Sequence, residues 1–271
     1  MVIRHNMSAA NANRNLNINN ESLSKSSEKL SSGYRINRAG DDAAGLAISE
    51  KMRAQIRSLD QGSSNAEDGI SLVQTTEGTL TETQAMCQRL KTLATQAANG
   101  TLTTTDRLNV NKEVTQLKSE ITRLATQTTF NGIKVLDGSV GSVAFQVGAK
   151  GGQKISLALS CASTGALGLG SLCMSTSNLA STAMGLIDSA INKISTMRAN
   201  LGAVQNRLEH TITATDNTSE NLSSAESRIR DTDMAKEYMN YSSNNVLVQA
   251  AQSMLSQANS SSQNVLSLLR G

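Results

Sequence analysis

Two adjacent carboxylates (Asp41, Asp42), two histidines (His5, His210), three cysteines and the glycine-rich run GALGLG at 165–170 are the residues here whose types can do chemistry. General acid–base work needs two groups converging on one substrate, which neighbouring residues of one loop do not do; Asp41 and Asp42 suit capping of a following helix instead. Neither histidine sits in a metal-ligand or nucleophile motif, so each reads as a solvated or bundle-edge side chain. Cys87, Cys161 and Cys173 cannot all pair within one chain and no two stand at metal-ligand spacing, which leaves them as small apolar residues on packed helices. The many serines include no G-x-S-x-G turn, and GALGLG matches neither a dinucleotide fingerprint nor a phosphate loop. The reading is of a protein that is not an enzyme, with no catalytic, cofactor-binding or metal residue and no cofactor.

Composition narrows the partners. The formal charge is only +3 and no lysine or arginine run would neutralise a stretch of phosphates, so nucleic acid is excluded as a partner. No segment reaches the about 18 apolar residues of a membrane span, which argues against membrane insertion. The N-terminus offers Arg4 and then asparagine in place of an apolar signal core; this excludes the general secretory route alone.

Aromatic residues make up 2% of the 271 residues, with no tryptophan and no proline. A core without large rings must be built from Leu, Ile, Val, Met and Ala, and a chain without proline is free to run in long helices. The run NANRNLNINNESLS at 11–24 is rich in asparagine, a poor helix former, yet Val2, Ala9, Leu16, Leu23 and Leu30 recur every seven residues. That is a weak helix with a narrow seam. At the ordinary rise 32 residues span about 48 Å, and a seam one residue wide buries too little to hold such a helix alone.

Residues 33–55 carry Gly33, Gly40 and Gly45 and read as a linker. From about Ile56 to Ala98, apolar and small residues at 66, 70, 73, 80, 87, 90, 94 and 97 predict a long helix ending at Asn99–Gly100 in a left-handed turn. Thr104, Thr105 and Asp106 then offer an N-cap for a second helix, antiparallel to the first, through Val110, Val114, Leu117, Ile121 and Leu124. Period-two runs at 143–147 and 153–159 across a glycine turn predict a β-hairpin, and residues 161–176 read as irregular loop. The helical pattern returns from Leu179 to Ile212, a polar stretch at 213–231 reads as a second linker, and Val248, Ala251, Leu255, Ala258, Ser262, Val265 and Leu269 form a closing heptad. The expected fold class is mainly α: an elongated antiparallel helical bundle or coiled coil with a small β-hairpin insert.

These residues also carry a resemblance. IRHNMSAANANRNLNINN, EKLSSGYRINRAGDDAAGLAISEKMRAQIRSLDQGSSNAEDGISLVQTTEGTL, QAANGT, FNGIKVLDG, FQVGAK, RIRDTDMAKE and NVLSLLRG together resemble the bacterial flagellins over nearly the whole chain. The resemblance implies a minimal flagellin: residues 1–32 and 232–271 pair as an inner-tube coiled coil, 33–55 and 213–231 are linkers, 56–138 and 177–212 form an outer-tube helical domain, and 139–176 stand in place of the variable domains. It implies a structural subunit of the secreted, extracellular flagellum, polymerising with itself for motility. The chain would be exported unfolded through the flagellar type III export apparatus, escorted by a cytoplasmic export chaperone, and would meet junction and cap proteins. Leu16, Leu23, Leu30, Val248, Leu255, Val265 and Leu269 are then polymerisation seams, with end helices that order on assembly and asparagine amides lying off the seam.

QRLKTLATQAANGT (88–101) resembles the segment by which the animal receptor Toll-like receptor 5 recognises many flagellins. Carried over by position, Gln88, Arg89, Leu93, Gln96 and Glu113 are the expected receptor contacts, with departures at Cys87 and Lys91–Thr92. The same face also suits packing between subunits. A hook–filament junction protein, an intracellular coiled-coil adaptor, and a secreted adhesin or immune ligand remain as alternatives.

Overall fold

The computed structural model describes residues 6–270, except the side chains of Ser262 and of residues 265–270. In chain order the elements are α1 (Met7–Ser32), α2 (Ala43–Ala98), α3 (Thr104–Gln127), β1 (Thr129–Phe130), β2 (Ile133–Lys134), β3 (Ser142–Gln146), β4 (Lys154–Ala158), α4 (Thr164–Leu167), α5 (Ser177–Arg230) and α6 (Met234–Arg270). They fall into two compact units, one made of the residues up to 54 and from 221 onward, the other of residues 55–220.

In the unit of residues 55–220, heptads on α2 and α5 fill the core. On α2 the buried line is Ala66, Val73, Leu80, Cys87 and Ala94, with Thr76, Thr83, Leu90 and Ala97 beside it. On α5 it is Ala180, Ala183, Ile187, Ala190, Ile194, Leu201, Val204 and Leu208, and α3 adds Val114, Ile121 and Ala125. Thr76 and Thr83 are buried without harm because each hydroxyl donates to the carbonyl four residues back. α2 ends at Ala98 without a left-handed residue: Asn99 N–H bonds back to Gln96, and the Arg107 guanidinium from α3 donates to the Ala97 and Asn99 carbonyls. A cation on those orphan carbonyls does the work expected of Gly100. The N-cap of α3 is Thr103, in a reciprocal capping box with Asp106.

β3 and β4 pair antiparallel from Ser142↔Ala158 to Gln146↔Lys154, the hairpin expected from the alternation. A second, two-residue hairpin joins β1 and β2 just after the expected second helix, where Asn131 and Gly132 both take positive φ, the requirement of its tight turn. The segment 161–176 is no loose loop. Ala162, Leu167, Leu169, Leu172 and Met174 are buried in the core, and α4 makes one turn within it. Lys118 donates to the Gly170 and Leu172 carbonyls, Lys193 to Ala166, and the Asn111 amide accepts from Met174 N–H, so its backbone is satisfied by neighbouring helices.

The two expected linkers are largely helix. α2 begins at Ala43, where the Asp42 carboxylate accepts from Gly45 N–H, and Asp41 ties the preceding turn through Asn37 and Arg38 N–H. α5 runs on to Arg230 through the polar stretch because Thr211, Thr213 and Thr218 bond back to carbonyls one turn earlier instead of breaking the helix.

In the other unit α1 packs on α6, and a clasp holds the ends of their connections. Gly33 takes a left-handed φ to end α1, Thr232 N–H donates to the Gly33 carbonyl, Arg35 N–H donates to Arg230, and Tyr34 bridges Asp231. The Arg230 guanidinium lies 4.7 Å from the centre of the Tyr34 ring and 2.8 Å from Glu50. Its side chain is only 13% exposed, so Glu50 supplies the charge that burial demands.

Two outcomes follow for measurement. A methyl added at Gly62 would stand 2.7 Å from the Val147 carbonyl oxygen, so Gly62→Ala pushes the hairpin away and costs about 1–3 kcal/mol in denaturant unfolding. Hydrogen bonding to Arg230, aided by Arg53, holds the Glu50 carboxyl below its ordinary 4.5 against a smaller desolvation effect. A lowered folded pKa means the clasp is stabilising above that range and loses this contribution as pH falls through the lowered value. Thermal midpoints of Glu50→Gln measured from pH 6 to 3 should therefore fall less steeply than those of the parent.

Candidate assembly interface

The seam between α1 and α6 is built by spacing. Ala9, Ala12, Leu16, Asn19, Leu23, Ser26 and Leu30 step by three and four residues, and all are buried or half-buried. On α6, Val248 is buried while Tyr241, Ala251, Leu255 and Ala258 are half-buried. The expected seam residues Leu16, Leu23, Leu30, Val248 and Leu255 thus face one another's helix within a single chain. Val2 and the side chains of Val265 and Leu269 lie outside the described residues. Asn11, Asn13, Asn15, Asn17 and Asn20 are exposed, but Asn19 occupies the seam itself, contrary to the expectation that the amides lie off it.

A second apolar surface in the same unit is left uncovered by the other described residues. Met239, Val246, Leu247 and Met254 lie on a side of α6 away from Val248 and Leu255, and with Met7, Ile18, Met234 and Tyr238 they are 47–67% exposed. From Tyr238 to Leu269 the sequence holds no charged residue at all. Burying such a surface strips no ion of water, and its amides and hydroxyls can pair again across a protein contact.

On the other unit, Arg89 on α2 and Glu113 on α3 meet at 2.8 Å, both about half exposed, with Gln88 and Gln96 exposed nearby on α2. An exposed pair of this kind stabilises little, about 0–1 kcal/mol, so its side chains are free to be re-paired by another surface. Leu93 is different. It is 2% exposed and belongs to the helical core, which removes it from the expected contact surface: three residues after Leu90 and one before Ala94, it widens the buried face of α2.

The chemistry-bearing residues do not converge. Among the described residues no three of His, Cys, Asp or Glu gather as a metal group. Cys87 is fully buried, and burial pushes its thiol up to about 11. Cys161 and Cys173 are unpaired thiols of the cover segment, bonded to Ser163 and Ser175; the Ser175 hydroxyl lowers the Cys173 value. His210 is exposed on α5, and His5 lies outside the described residues. The outward apolar stripe of α6 is masked in the sequence by the more regular heptad beside it; its one signal is the absence of charge from Tyr238 to Leu269.

These surfaces define a class: a helical structural protein whose terminal helices present their faces to other protein. The comparisons specify it further. Residues 3–140 match the bacterial flagellin N-terminal helical region and residues 184–269 the bacterial flagellin C-terminal helical region. Over the full length of both chains the sequence is 52% identical to a flagellin of Halalkalibacterium halodurans and 48% identical to a flagellin of Bacillus subtilis. The crystal structure of Bacillus cereus flagellin aligns with a TM-score of 0.52 at 34% identity, over 56% of this chain and 88% of that one. The chain belongs to the bacterial flagellin family, in a short form without a large variable domain. It is a structural subunit that polymerises with itself into the extracellular flagellar filament of motility, and among its described residues no helix is long and apolar enough to cross a membrane.

Proposed function

We propose that the unit holding α1 and α6 forms the inner tube of the filament and the unit of residues 55–220 the outer tube, and that the α1–α6 pair orders only when neighbouring copies cover it. What supports this is the stretch of α6 from Tyr238 to Leu269, which holds no charged residue and whose outward stripe of Met239, Val246, Leu247 and Met254 is left exposed by the described residues. A seam of alanine, leucine and serine buries little per turn, so the added contact tips the balance toward order. Before assembly the same helix, unfolded and apolar on one side, suits an export chaperone that shields it on the way to the type III apparatus. Junction and cap proteins would meet the ends of the same polymer.

Seeded polymerisation followed by sedimentation and electron microscopy tests the assignment. Leu23→Asp, in the seam, and Val246→Asp, in the outward stripe, should each abolish tubes while leaving the helicity and melting of residues 55–220 unchanged. Tubes of normal length from Val246→Asp would remove the stripe from the assembly contact.

The monomer is in addition a ligand of Toll-like receptor 5 through Gln88, Arg89, Gln96 and Glu113, which line an exposed stretch of α2 and α3. Arg89→Ala should weaken binding of the monomer to the receptor ectodomain by about tenfold or more, the loss of one interface hot spot. Undiminished affinity in a surface-binding titration would sink the assignment.

A further inference from the structure

Two hydrogen bonds fix how α1 lies on α6. At one end the Asn6 amide donates to the Ala258 carbonyl at 3.0 Å; at the other Thr232 N–H donates to the Gly33 carbonyl at 3.0 Å. The helices are therefore antiparallel, and equal rise sets levels between these anchors. Ten residues in from Asn6 and Ala258 lie Leu16 and Val248; thirteen in lie Asn19 and Asn245; seventeen in lie Leu23 and Tyr241. Asn19, Asn244 and Asn245 are all half-buried, while the amides at 13, 15, 17 and 20 are exposed. One amide layer thus interrupts a seam otherwise made of alanine, leucine, valine, serine and a tyrosine ring.

A helical pair can choose its register by charges flanking the seam or by a polar residue within it. The first device is missing here, because α6 has no charged residue between Tyr238 and Leu269 and no ion pair links α1 to α6 among the described residues. The small side chains at 9, 12, 251 and 258 would accept a shift of one heptad with little steric objection. Such a slip moves α6 by about 10 Å along its partner. It sets Asn19 level with Gln252 or Tyr238, and Asn245, whose side-chain oxygen accepts from Gln249 on its own helix, level with Ala12 or Ser26, so the half-buried amides no longer share one level and face apolar neighbours instead.

We propose that Asn19, with Asn244 and Asn245, is the register key of the terminal coiled coil. The layer admits an α6 that brings its amides to the right level and penalises every slipped pairing, whether that α6 comes from the same chain or from another copy. Stability is traded for a single arrangement. The inference concerns the α1–α6 pair itself and does not depend on which tube the pair lines.

The test uses the full chain polymerised on seeds, with Cys87, Cys161 and Cys173 replaced by alanine and with Asn6→Cys and Ala258→Cys added as a reporter. In register the two thiols are adjacent and a mild oxidant closes a disulfide; after a slip of about 10 Å they exceed the about 7 Å reach of that bond. Loss of the Asn6 cap is common to all chains compared. Asn19→Leu should lower the disulfide yield several-fold while the temperature at which the polymer dissociates stays level or rises. Asn19→Ala, which adds no bulk, should lower the yield in the same way. Full yield from either variant overturns the proposal, as does a fall in dissociation temperature that parallels the fall in yield, which would make Asn19 a supporting contact and nothing more. Failure of the parent itself to polymerise would count against the assembly reading, and the same oxidation on the unpolymerised chains would then decide the register question.

Discussion

Contact between small side chains at heptad spacing is the interaction on which both units depend. Alanine at 66, 94, 97, 180, 183 and 190 lets helix backbones approach closely, and glycine at 69 leaves room for the Phe145 ring of the hairpin, 3.2 Å from where a methyl would stand, and for Leu208 at 3.3 Å. Each turn of such a seam buries only a modest apolar area, so stability accrues with length. That is why α2 runs for 56 residues and α5 for 54. A chain with almost no aromatic side chains has few other ways to build a core.

The two units use this contact differently. Between residues 55 and 220 a third helix, a hairpin and the segment 161–176 close the seam, and backbone groups of that segment are met by side chains: Lys118 and Lys193 donate to its carbonyls and the Asn111 amide accepts from Met174 N–H. Around α1 and α6 the seam is thin, the clasp at Arg230 takes the place of a third layer at one end, and apolar side chains remain uncovered. One unit is closed within a single chain. The other leaves an apolar stripe of α6 exposed.

Much of this could be read in the residues. The heptads at 66–97 and 248–258, the turn chemistry of the β3–β4 hairpin and the family motifs each pointed to what the structure contains, because periodicity is a direct projection of a helix or strand face. Where structure and sequence part, the causes differ. Serine, threonine and asparagine at 213–231 read as a linker, yet in a helix their side chains can bond to the preceding turn and leave the backbone unbroken. The cover segment at 161–176 lacks any period, so nothing local announced that its leucines would be buried by contacts made far along the chain. Leu93 falls on the recognition surface by likeness of motif, and only packing shows that the buried face of α2 is wide enough to take it in beside Ala94.

The absence of charge from Tyr238 to Leu269 has a consequence for where such a polymer can work. Dissolved salt weakens attraction between exposed ions over a distance of about 8–10 Å at ordinary ionic strengths, but it has little hold on contacts made by methionine, valine, amides and hydroxyls. The contact between α1 and α6, made by such side chains, is therefore nearly indifferent to salinity, and the pair keeps its fit from dilute water to brine.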